Sequence, residues 1–314
     1  MKEMKRGQFN FVWIFAILAG GVILFLAIYG AVKSGDTMRF ASDTETAKSI
    51  SILTDPLQAG FSEGSFGKIS FRSKTRINNI CFSGGLGKND ISVATRSSVG
   101  EEWNLAGGAS SMHNKYIFSK ERGEGLDYYV FSKSFDFPYK VNDLIFLASE
   151  NYCFLNSPKE ISEEILGLGV KNIEVDNCSG NAERVCFGGG EDCDVYVYGS
   201  CDSDCDSVYD YGKVVKSSGE IRYVGNLMYG AIFSDKGVYE CNVERLLFRA
   251  SKLARIFAQK ANLMGARGCG SNLRGDLIAW GGMLENATSG DLFSLESMAK
   301  SLGNRNDREI CGLW

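Results

Sequence analysis

Between Phe9 and Val32 the chain carries no charged side chain: FNFVWIFAILAGGVILFLAIYGAV follows the basic leader MKEMKRG. A run of ~20 apolar residues spans the hydrocarbon core of a bilayer as a helix. There only a helix or a closed barrel satisfies the backbone polar groups internally. The stretch is too long for the apolar region of a cleaved secretory signal, and Tyr29-Gly30-Ala31 puts a ring where a small residue is wanted. A buried helix of a soluble domain rarely lacks every charge over this length. Trp13 and Tyr29 stand near the two ends, where aromatic rings favour the membrane–water interface. Residues 9–32 therefore read as a transmembrane anchor behind a leader at 1–8.

The flanks set its orientation. Lys2, Lys5 and Arg6 outweigh Glu3 before the span, while Lys33, Asp36 and Arg39 after it are less one-sided. The positive-inside rule then places the N-terminus in the cytoplasm and the long C-terminal part outside. All ten cysteines follow the span: Cys81, Cys153, Cys178, Cys186, Cys193, Cys201, Cys205, Cys241, Cys269 and Cys311. An even number beyond the anchor fits disulfides in an oxidising compartment. No C-x-x-C pair occurs and His113 is the sole histidine, so the usual zinc spacings are missing. Two sequons, Asn177-Cys178-Ser179 and Asn286-Ala287-Thr288, permit glycosylation outside. Residues 1–39 hold five basic and two acidic side chains, which leaves the remainder at −7 against −4 for the whole chain. An acidic exterior argues against nucleic acid as a partner, because that binding rests on neutralising phosphates.

The pattern after the anchor predicts an α+β ectodomain. Phe40, Ala47, Ile50, Leu53 and Leu57 predict a juxtamembrane helix over about 40–54, continuous with the anchor, within a segment 33–65. Residues 66–156 alternate β-branched and aromatic residues between Gly, Asn and Ser, a first β-rich unit. Ser157-Pro158-Lys159-Glu160 combines an N-cap, a proline at the first helical position and a capping-box glutamate, so 157–170 reads as a helix. Strand character resumes over 171–241. The two β stretches share Ile80-Cys81-Phe82-Ser83-Gly84-Gly85 with Val185-Cys186-Phe187-Gly188-Gly189-Gly190, and Ile145-Phe146…Cys153 with Ile232-Phe233…Cys241. Glycine turns beside cysteines recur by chance in disulfide-rich domains, and that is the simpler reading; the alternative is a duplication into two related units, for which the simplest pairing is Cys81–Cys153 and Cys186–Cys241. Residues 242–314 read as helices: a long one from Val243 capped by Asn242, then about 272–285 and 291–302. Cys269 and Cys311 bracket the last two, and a bridge there would clasp the tail. On the long helix Arg245, Arg249, Lys252, Arg255 and Lys260 read as a solvated basic face or as partners of an acidic loop.

That loop holds the sharpest chemical candidate. Asp192, Asp194, Asp202, Asp204 and Asp206 alternate with Cys193, Cys201 and Cys205, an oxygen-rich set suited to calcium. It departs from an EF-hand at Ser207, where the turn needs Gly, and at Lys213, where the closing Glu belongs. No other cofactor is implied. Gly84-Gly85-Leu86-Gly87-Lys88-Asn89 lacks the Ser or Thr of a phosphate loop and reads as a hairpin turn. His113 sits in a polar run and reads as a surface residue.

Lys5-Arg6-Gly7-Gln8 before an apolar helix resembles archaeal type IV prepilins, in which a peptidase cuts after the glycine and the freed helix enters a filament core. The chain departs from that pattern at Val12, where many pilins carry Glu. Beyond the leader, Gln8 to Phe15, Asp55 to Phe61, and Ala231 to Asp235 running into Tyr239-Glu240-Cys241 resemble an uncharacterised family of single-pass archaeal membrane proteins. The resemblance implies cleavage between Gly7 and Gln8 in the pilin case and a plain anchor in the other.

These readings lead to a non-enzymatic, single-pass protein of the cell membrane with a structural, adhesive or protein-binding role. Its expected partners are the lipid bilayer and other envelope proteins or further copies of itself. A minor pilin or pilus-associated subunit is the first alternative. An envelope hydrolase using two carboxylates in a cleft is the second.

Overall fold

The computed structural model describes residues 11–54, 66–97, 102–178, 180–201, 205–206 and 208–314. Helix α1, Phe11–Leu53, is continuous for 43 residues. Its uncharged part, residues 11–32, rises ~33 Å at 1.5 Å per residue, enough for a bilayer core. That part is long and apolar enough to cross a membrane, with none of the apolar window buried. The pattern then changes. Asp43, Ala47, Ile50 and Thr54 recur at helical spacing and are buried, so one stripe of the same helix docks on protein. Asp43 accepts hydrogen bonds from the backbone amide and hydroxyl of Thr95, both at 3.3 Å. The Thr44 hydroxyl accepts from the Gly108 amide at 2.7 Å. A Cβ at Gly107 would sit 2.5 Å from the Thr44 nitrogen, so only glycine lets the helix approach this closely.

The first sheet contains β1 (Phe66–Phe82), β2 (Lys88–Thr95), β3 (Ser110–His113), β4 (Tyr116–Phe118), β5 (Arg122–Asp136) and β6 (Lys140–Ala148), in the order β3-β2-β1-β5-β6-β4. All its pairs are antiparallel except β4 with β6. Residues 83–87 form the β1–β2 turn, with Gly85 and Gly87 at positive φ, as the hairpin reading requires. The second sheet takes β7 (Tyr152–Leu155), β8 (Ile173–Val175), β9 (Glu183–Phe187), β10 (Val195–Ser200), β11 (Tyr211–Lys216) and β12 (Gly219–Val224), in the order β12-β11-β10-β9-β7-β8. Four of its strands, β10, β9, β7 and β8, run parallel. Helix α2 (Lys159–Leu168) connects β7 to β8. The chain ends in α3 (Leu227–Phe233), α4 (Lys236–Gly265), α5 (Arg274–Leu284), a 3-10 turn (Ser289–Asp291) and α6 (Leu292–Asn306).

The α+β class and the helical tail are as expected, but several particulars differ. The strand β7, expected in the first unit, belongs to the second sheet. Strand character ends at Val224, not at 241: Ile232-Phe233 lies in α3, and Tyr239 to Cys241 in α4. Helix α3 is buried at every position, and a short apolar run without a polar face cannot be told from a buried strand by periodicity. The two β stretches therefore do not repeat one topology. Ile80-Cys81-Phe82 ends a strand in antiparallel pairing, while Val185-Cys186-Phe187 pairs in parallel on both sides. Helix α4 begins at Lys236, and Asn242 is buried inside it instead of capping it. Pro158 occupies the N-cap position of α2, and the Ser157 hydroxyl bonds to Ser162.

Burial follows from strands that serve two faces. In β6, Leu144, Phe146 and Ala148 join the main core, while Ile145 and Leu147 join a second cluster with Ile77, Ile91, Val93 and the Ala47 and Ile50 side chains of α1. In the main core, α3 places Tyr229 and Phe233 against Phe131, Phe146 and Tyr152, with ring centroids 4.8 to 6.4 Å apart. A Cβ at Gly230 would lie 2.6 Å from the Phe118 ring. Aromatic pairs at such distances add ~0.5–1.5 kcal/mol beyond area burial.

That core is rich in phenols, which makes it sensitive to alkali. Burial raises the pKa of Tyr116, Tyr128, Tyr139, Tyr152, Tyr223, Tyr229 and Tyr239. Their folded forms keep protons that the unfolded chain loses near pH 10. This stability is complete below pH 10 and is lost as pH climbs through the raised values, by up to ~1.4 kcal/mol per pH unit for each ring. Lys216 acts in the opposite sense. Its amine donates to the carbonyls of Ile232 and Ser234, and burial lowers its pKa to about 8. Between pH 8 and 10.5 the folded state then binds fewer protons, so this group's contribution rises with pH. Calorimetry of the detergent-solubilised protein is expected to show a Tm that rises from pH 8 to 10, as Lys216 dictates, and falls steeply above pH 10 as the buried phenols take over. Ionisation of all 13 tyrosines at 295 nm without loss of fold would contradict it.

Candidate functional site

A concavity of about 530 Å³ opens between the β5–β6 hairpin, α2, the segments 208–210 and 224–229, and α6. Two helices supply most of its charge. On α2 the i, i+4 pair Glu160 and Glu164 faces the opening while Ile161 and Ile165 are buried. On α6, Glu296, Lys300, Gly303 and Asp307 form a stripe at helical spacing beside the buried Leu295, Ala299 and Leu302. Asp136 from the hairpin and Asp210 complete a lining of six carboxylates and one amine.

The partners of these carboxylates limit their chemistry. Glu164 pairs with Lys133 and accepts a hydrogen bond from the Tyr229 hydroxyl at 2.7 Å. Lys300 lies 2.8 Å from Glu296 and 3.7 Å from Asp210, over the Tyr211 ring. Asp136 accepts from Ser134 at 2.9 Å. Glu164, Glu296 and Asp210 thus face amines and a phenol, whereas glycoside hydrolysis needs two carboxyl groups set across a bond. The cleft offers negative potential to a cationic ligand or a basic protein segment.

The acidic cysteine loop is described only in part. Cys186–Cys193 and Cys201–Cys205 close two short loops. Asp194 accepts from the Arg184 amide at 2.8 Å and donates its own amide back to the Arg184 carbonyl. Asp192 sits at φ +55°. Asp206 is exposed, and its carbonyl accepts from the Lys159 amide. Asp202 and Asp204 lie outside the described residues, as do Gly7 and Gln8. Among the described residues no group of three or more His, Cys, Asp or Glu is arranged to hold a metal ion.

All ten cysteines pair: Cys81–Cys241, Cys153–Cys178, Cys186–Cys193, Cys201–Cys205 and Cys269–Cys311. The clasp on the tail is as expected. The pairs Cys81–Cys153 and Cys186–Cys241 are not formed, because they rested on a duplication that the sheets do not share. His113 is exposed at the end of β3.

The basic face of α4 is the largest departure. Arg245 has 0% exposure. It donates to the Leu86 and Lys115 carbonyls, both at 3.0 Å, and to the Asn89 and Asn242 side-chain oxygens. Its guanidinium lies 4.6 Å from the Tyr116 ring centre. Arg249 donates to the Val141 carbonyl at 2.9 Å, and Lys260 to the Leu313 carbonyl at 2.6 Å. Lys252 and Arg255 share Glu285. These side chains bind helix α4 to its own domain, not to the acidic loop.

No protein-family model, curated protein or solved structure matches this chain.

Proposed function

We propose that this is a single-pass membrane protein whose disulfide-stapled α+β domain lies outside the cytoplasm and acts by binding other envelope proteins or further copies of itself, without catalysis. One observation carries the reading. A single helix joins a fully exposed apolar span to a stripe that docks on the first sheet, ahead of a domain with all its cysteines bridged. The docked stripe makes the anchor and the domain one mechanical piece, which suits a structural or adhesive role. The acidic remainder and the carboxylate-lined cleft favour a basic partner surface.

Peptide mapping under non-reducing conditions, on protein from native membranes, tests the compartment. Five bridges are expected, and ten free thiols would overturn the outward orientation.

A second reading, a pilin-like filament subunit, is favoured by the same continuous helix, since a long apolar rod projecting from a β-rich head can pack against identical rods. The mass of the mature N-terminus separates the two. A chain beginning at Gln8 supports the filament subunit, and an intact leader removes it.

A further inference from the structure

We propose that Asn286 is an N-glycan attachment site. The sequon Asn286-Ala287-Thr288 forms the tight connection between α5 and the 3-10 turn that precedes α6. Asn286 is exposed, and the neighbouring Met283 on α5 is an exposed apolar side chain. A glycan there projects into solvent and shields apolar surface that the fold leaves open. The proposal rests on the outward orientation given above, because the acceptor must meet the glycosylation machinery.

The reaction is a group transfer from a sugar carried on a polyprenyl phosphate, catalysed by a membrane transferase. The Asn286 amide nitrogen forms a bond to the anomeric carbon. The bond from that carbon to the phosphate oxygen breaks, and the phosphate leaves with the electron pair. The amide loses one proton.

The local fold also sets the timing. In the folded protein the Thr288 hydroxyl donates to Asp291 at 3.0 Å, and Asp291 accepts the Thr288 amide at 2.9 Å, a capping box. Ala287 is buried. The sequon hydroxyl is therefore engaged once the turn has closed, so transfer precedes closure. The other sequon is placed less favourably. Cys178 is bridged to buried Cys153, so sugar transfer at Asn177 competes with disulfide formation one residue away.

The test is glycopeptide mapping of the full chain purified from its native membrane. The peptide holding Asn286 is expected to carry a glycan, Asn286→Gln to lose that mass entirely, and Thr288→Ser to retain it with the cap intact. An unmodified Asn286 in protein with five bridges would overturn the site and leave the orientation standing. An unmodified Asn286 with free thiols would overturn both. A glycan at Asn177 alone would also overturn the assignment.

Discussion

Replacing Arg245 by alanine is expected to cost about 3–5 kcal/mol of stability. The reason is the kind of site it occupies. The guanidinium is fully buried, and its partners are two backbone carbonyls, two amide oxygens and an aromatic face. None of these is a carboxylate. Burial lowers its pKa by disfavouring the charged form, and the ring of acceptors compensates. Removing the side chain takes a donor from all four oxygens, of which Asn89 keeps the Ile117 amide at 3.5 Å, and each buried acceptor left without a donor costs about 1–3 kcal/mol less whatever relaxation recovers. Arg245→Lys keeps the charge but cannot reproduce the fork of donors, so it should lose about 2 kcal/mol or more. Arg245→Met separates charge from hydrogen bonding, and a loss close to that of alanine would show that the oxygens dominate. Urea unfolding in detergent gives these values, and a loss below ~1 kcal/mol for alanine would refute the account. The neighbouring Gly87 explains why the position tolerates no crowding: a Cβ there would lie 2.9 Å from the Arg245 side chain.

That residue also shows where the sequence was legible and where it was not. The apolar helix over residues 11–32, its continuation to residue 53, the strands of the first sheet and the last helices could all be read, because each depends on the order of apolar and polar residues along one segment. Cys269–Cys311 was readable because the two cysteines bracket a helical pair. Arg245 was not, since along α4 it repeats at the spacing of Arg249, Lys252 and Arg255, and a solvated face has the same pattern. What buries it is the β1–β2 turn, some 160 residues earlier. The cleft was hidden for the same reason: its carboxylates come from a hairpin, two helices and a loop. Only the i, i+4 pair Glu160 and Glu164 gave a local sign. Helix α3 was lost for the opposite reason, since it has no polar face to reveal its period.

The five bridges should differ in worth according to the length of chain each closes. In the chain-entropy model a cross-link stabilises by restricting the unfolded state, more so for longer loops. Cys81–Cys241 spans 160 residues of sequence and Cys201–Cys205 spans 4. The model assigns them about 5 and about 2 kcal/mol, with Cys269–Cys311 and Cys153–Cys178 between at about 4 and 3.5. Paired Cys→Ser variants should fall in that order in urea midpoint, provided the slope is unchanged. The long bridge carries a further consequence. Cys81 ends β1, whose sheet holds α1, and Cys241 lies in α4, which packs into the main core, while the Cys81 sulfur lies 3.9 Å from Arg245. The bridge and the arginine therefore join the anchor-bearing sheet to the rest of the domain at one place. Losing both should cost a different amount from the sum of the separate losses, because contacting groups couple by about 0.5–3 kcal/mol. Limited proteolysis of the Cys81→Ser/Cys241→Ser variant should then release the helical tail before it cuts the first sheet. Equal losses for the longest and shortest bridges, or simultaneous cleavage of both parts, would show that the loop-entropy ranking and the junction are both misassigned.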